Sequence, residues 1–156
     1  MSKRFLVVLF GALLGALLVA GCGSDNSESS ASLTKAEFVK KADSICEASE
    51  KKGETEVEEF LEEEGVAKNE EPSKELQEQL AEEVVAPNIS GQLEEIRALG
   101  FPEGTDGEEA EALIDSAEED VEEIEEEPSA LFSDSTFKQT NKEARAYGLT
   151  VCGSEG

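Results

Sequence analysis

The sequence predicts an all-α protein, a small bundle of four main helices. Two observations carry that prediction. Large apolar residues return every three or four positions through four separate stretches, and no stretch alternates apolar with polar as a half-buried strand would. Glycine and proline mostly punctuate those stretches, and no segment repeats another, so helix packed on helix is the architecture left.

The first helix opens at Thr34, because Thr34 and Glu37 have the spacing of a capping box. Phe38, Ala42, Ile45, Cys46, Val57, Phe60 and Leu61 continue its apolar stripe, and Gly53 is expected to divide it. Pro72 and Ser73 open the second run, which carries Leu76, Leu80, Val84 and Val85 and resumes through Ile89, Leu93, Ile96 and Leu99. Gly100 and Pro102 end it. Pro87 lies inside that run without a backbone donor, which predicts a kink or break. Thr105 and Glu108 repeat the capping-box spacing before the third helix, whose stripe is Ala110, Leu113, Ile114, Ala117, Val121 and Ile124, with Pro128 beyond its end. A shorter fourth helix is predicted from near Ser135, with Phe137, Thr140, Ala144 and Tyr147 on one face. Gly148 would terminate it and Leu149 would pack behind.

Residues 1–21 have another character. Lys3 and Arg4 form a basic start, and an apolar run follows from Phe5 to Ala20, the pattern of a secretory leader. The run ends in Val19-Ala20-Gly21-Cys22, which resembles the lipobox of bacterial lipoproteins. That resemblance implies that Cys22 becomes a lipidated N-terminus, anchoring an extracytoplasmic protein to the bacterial cell membrane. A single acyl chain anchors only marginally, so stable attachment takes two. Two alternatives remain at this point. One is a secreted chain cut nearby; the other is a retained membrane helix, although sixteen residues reach only about 24 Å across a core of roughly 30 Å. Gly23–Ser32 reads as a disordered polar tether spanning about 17 Å, so residues 22–32 would link the anchor to a helical domain over residues 33–156.

Lipidation of Cys22 would leave Cys46 and Cys152 as a pair, in a compartment where disulfides persist. The alternative is two buried thiols. A further likeness is carried by Lys35-Ala36-Glu37-Phe38, Ala42-Asp43 and Cys46 near the start, and by Ala146-Tyr147-Gly148-Leu149 and Cys152 near the end. These segments are similar to small secreted helical lipoproteins of actinobacterial type. The likeness implies an exported bundle with linked ends and brings no activity with it.

The chain carries 38 Asp and Glu against 13 Lys and Arg, a formal charge of −25. Removing residues 1–21 takes away two basic and no acidic side chains, moving the charge to about −27. Such a surface argues against nucleic acid and against direct adsorption to anionic bilayers, since each phosphate contact needs a cation. Val, Ile, Leu and Phe fall to about 19% of the remainder, near the boundary where acidic chains stay disordered, and the helical spacing decides for a fold. There is no His and no Trp, and only one Tyr, so the usual imidazole base is missing; neither catalysis nor a cofactor is expected.

Between Glu108 and Glu127 twelve of twenty residues are acidic and none is basic. Glu108, Glu111, Asp115, Glu118, Glu119 and Glu122 mark a helical face with two readings: a solvated exterior, or a weak site for divalent cations or small basic ligands. Lys138, Lys142 and Arg145 form a basic stripe, expected either to pair with neighbouring acidic helices or to dock an acidic partner. Asn88-Ile89-Ser90 matches a glycosylation sequon and is read as chance. The function expected is a membrane-anchored, non-enzymatic interaction or spacer module for an envelope protein, with cation or basic-ligand binding as the alternative.

Overall fold

The computed structural model describes residues 33–67, 70–133 and 135–154. The expected leader, the lipidated Cys22 and the tether lie outside the described residues. Among those residues every regular element is helical: α1 (Lys35–Glu63), α2 (Lys74–Leu80), a π-helical turn (Ala81–Val85), α3 (Ala86–Ala98), α4 (Thr105–Glu126), a 3-10 turn (Pro128–Phe132) and α5 (Lys138–Tyr147). Because α2, the π turn and α3 are contiguous, they act as one rod, and the expected bundle of four main helices is present. No described helix is long and apolar enough to cross a membrane.

The first capping box forms as predicted. The Glu37 N–H donates to Thr34 Oγ1 at 3.3 Å, and the Thr34 N–H returns to Glu37 Oε2 at 3.0 Å. That backbone donor holds the Glu37 carboxyl below its ordinary value. Gly53, however, does not divide α1. A Cβ there would rest against Asn88 Oδ1 at 3.4 Å, an ordinary contact, so the position faces α3 without needing to be glycine. The Asn88 carboxamide then clamps the two helices, accepting from Ser49 Oγ at 2.7 Å and donating to Glu56 Oε2 at 3.3 Å. A sequon asparagine with its amide nitrogen in an interhelical bond is a poor glycan acceptor.

The irregularity at Pro87 takes the form of a π turn just before it. In a regular helix the proline ring would collide with the Glu83 carbonyl, and the widened turn from Ala81 to Val85 falls over that carbonyl. The Ala86 N–H donates to the Ala81 carbonyl, a five-residue step, and both alanines are fully buried. Leu80 is buried before the step, and Leu93 and Ile96 after it.

The second capping box does not form. Thr105 is already inside α4, and Gly104 (φ 70°) takes the cap position without a side-chain bond. The reason is a close approach: a Cβ on Gly107 would sit 1.9 Å from the Pro102 carbonyl oxygen, so the chain folds tightly back on the first turn. All six residues of the predicted α4 stripe are buried. Beyond Glu127 the 3-10 turn is an addition to the expected plan, held by a 2.7 Å bond from Thr136 Oγ1 to the Ala130 carbonyl. Helix α5 starts at Lys138, three residues later than expected, after Phe137 adopts a left-handed backbone with φ 59°.

Helix α3 packs on α1 and α4, and α5 packs on α4. Phe38, Ile96, Ile124 and Leu149 are the largest side chains shut fully away from solvent, so α1, α3, α4 and the turn after α5 each place one in the same core.

Candidate functional site

Cys46 and Cys152 are joined in a disulfide across 106 residues of sequence, with Cα atoms 5.2 Å apart. One turn before Cys46 on the same helix, the Asp43 carboxylate gathers the strand of chain that delivers Cys152. Its Oδ1 accepts from the Val151 and Cys152 N–H groups at 3.0 and 3.2 Å, and its Oδ2 from the N–H and hydroxyl of Thr150, both at 3.2 Å. Four donors on one carboxylate make a clasp beside the covalent link. Arg145 adds a bond to the Gly153 carbonyl.

A second cluster ties α1, α4 and α5 together. Phe38 meets the edge of Tyr147 at 6.2 Å between centroids and lies 5.8 Å from Phe101. The Lys35 ammonium sits 4.0 Å from the Tyr147 ring centre and reaches Asp106 at 3.3 Å and Glu109 at 3.7 Å. The Tyr147 hydroxyl donates to the Asp106 carbonyl at 2.9 Å. Burial, followed by the charges of Asp106 and Glu109, raises the phenol above its ordinary value.

On the acidic face the six sequence-selected residues do not act as one group. The Arg97 guanidinium takes Glu118 in a two-pronged contact at 3.0 and 2.8 Å and Asp115 at 2.7 Å, so two of them share one cation. Glu108, Glu111, Glu119 and Glu122 are exposed. Among the described residues no three His, Cys, Asp or Glu side chains come together closely enough to hold a metal ion. Two lysines of the basic stripe lack the expected pairing. Arg145 is engaged with Gly153, while Lys138 and Lys142 are exposed and make no ion pair with another described residue.

A further feature is a mainly apolar cleft of about 200 Å³ between α3, α4 and α5, one of several on the described surface. Its walls are mainly aliphatic, and Phe137 and Leu149 close it from the α5 side. Cys152 contributes to the wall, so the staple and the cleft share a boundary. The polar groups lining it are Gln92, Thr140 and Asn141. Thr140 gives its hydroxyl to Asp120, and Asn141 donates to the Ser154 carbonyl at 3.4 Å.

No family model, curated protein or solved structure matches the chain. Its functional reading therefore rests on its own geometry. Sequence reasoning singled out the acidic run and the basic stripe, whereas the geometry draws together Asp43 with residues 150–152, Arg97 with Asp115 and Glu118, and the lining of the cleft. Arg97 carried a usable signal, being the one basic residue in the last turn of a helix followed by an acid-rich one. Asp43 appeared only within the likeness to small helical lipoproteins, and no local pattern marked it as an acceptor, since its partners lie 107 to 109 residues away.

Proposed function

We propose that the protein is an extracytoplasmic lipoprotein, anchored to the bacterial cell membrane through Cys22, whose disulfide-stapled bundle is a non-enzymatic interaction module for an envelope partner. The observation that carries this reading is the Cys46–Cys152 bond. It pairs the two cysteines that remain once Cys22 is assigned to a lipid, and such bonds persist in oxidising compartments. The clasp of Asp43 fits the same role, because it fixes residues 150–152 to α1 beside the covalent link. Binding of divalent cations or small basic ligands on the α4 face draws less support, because Arg97 already occupies Asp115 and Glu118.

Metabolic labelling with a palmitate analogue tests the anchor. The natural chain should incorporate label into the membrane fraction and Cys22→Ser should lose it. Undiminished labelling of Cys22→Ser would refute the assignment.

A further inference from the structure

We propose that the cleft between α3, α4 and α5 binds a small neutral amphiphile, an alcohol or phenol with a body of one aromatic ring or an aliphatic chain of about six to eight carbons. Size is the first argument. An enclosed apolar cavity of about 150 Å³ is enough to take up benzene, so a partly open cleft of comparable volume can seat a body of that size. At about 200 Å³ this cleft has room for one ring, or a short chain, and a polar end.

Lining chemistry is the second argument. One residue in three of this chain is charged, yet among the described residues no charged side chain lines the cleft. Ile89, Ile96, Leu113 and Ile114 supply hydrocarbon that a ligand body can cover. A carboxylate head entering there would be stripped of water with no cation in the lining to compensate, which selects against fatty anions. The polar end has an uncommitted partner, beside the Asn141 carboxamide that spends one N–H on Ser154. Gln92 lines the cleft, is half-buried, and makes no hydrogen bond to another described residue, so its carboxamide can both donate to and accept from a hydroxyl.

The third argument is Phe137. A bulky residue at φ 59° is held out of its preferred backbone region, and such strain costs about 1–3 kcal/mol and persists only where surrounding structure imposes it. Here it sets an aromatic ring in the wall of the cleft.

Methyl NMR on the disulfide-bonded full chain tests the site, with 1-heptanol, toluene and heptanoate as probes. Saturable shifts at Ile89, Ile96, Leu113 and Ile114 are expected for heptanol and toluene, with heptanoate at least tenfold weaker. Gln92→Leu should weaken heptanol about three- to tenfold and leave toluene unchanged. Ala117→Leu, which fills the cleft, should abolish both; Ala117→Val, a smaller insertion, should weaken both and guards against a failure to fold. Shifts that do not saturate up to the solubility of heptanol and toluene, or that persist at full affinity in the Ala117 variants, would overturn the site. Heptanoate binding as well as heptanol, or Gln92→Leu affecting both probes alike, would overturn the assigned ligand chemistry.

Discussion

Reducing the Cys46–Cys152 bond is the perturbation whose size follows most directly from the fold. The bond closes a loop of 106 residues, and in the chain-entropy treatment such a closure removes about 16 cal/mol/K from the unfolded ensemble, or about 4.8 kcal/mol at room temperature. Domains of this class are stable by about 5–15 kcal/mol, so reduction should remove between a third and nearly all of the stability. Because the folded contacts hardly change, the loss should appear through the unfolded chain. Urea titration followed by circular dichroism, with and without a phosphine reductant, reads both quantities. The midpoint should fall, and the slope should rise as the opened chain exposes more surface on unfolding. A loss below about 1.5 kcal/mol with an unchanged slope would show that something other than the crosslink limits the unfolded ensemble.

Two further outcomes follow from the neighbouring contacts. Asp43→Ala removes the acceptor for four donors and should cost about 1.5–3 kcal/mol, with amide exchange at Val151 and Cys152 accelerated at least tenfold; Asp43→Asn, which keeps one acceptor oxygen, should lie between. Tyr147 is the single tyrosine, so the phenolate absorbance band reports it alone. Its folded value is raised above the unfolded one near 10, so its contribution to stability is complete below about pH 10 and is lost as pH climbs through the folded value. The absorbance midpoint should therefore drop when the protein is unfolded in urea, and an identical midpoint in both states would contradict the buried placement.

Helix α4 was the most legible part of the chain, since a 22-residue helix with one apolar stripe leaves periodicity no competitor, and each predicted core residue of that stripe is buried. The pairing of cysteines was legible from parity once Cys22 was set aside. What escaped were features whose signals are weak or non-local. Pro87 announced an irregularity but not its kind, and Ala81 and Ala86 were overlooked because alanine is a faint hydrophobic mark and a five-residue step belongs to neither helical nor strand periodicity. The threonine at 105 carries the right side chain for a cap, yet the backbone approach of Gly107 to Pro102 moves the helix start one residue earlier than a cap at 105 allows. The cleft is a volume that side chains leave unfilled, and no pattern of residue types along a chain records that.

The length of α1 has a mechanical meaning. Its 29 residues span roughly 43 Å, and its first turns carry the start of the described chain while Asp43 and Cys46 bind the last. Both terminal segments are thus gathered toward one end, and the turn after Glu63 stands at the other. From Cys46 to Glu63 the helix runs about 26 Å beyond the disulfide, and each whole turn of that stretch sets the far turn about 5.4 Å further from that crosslink.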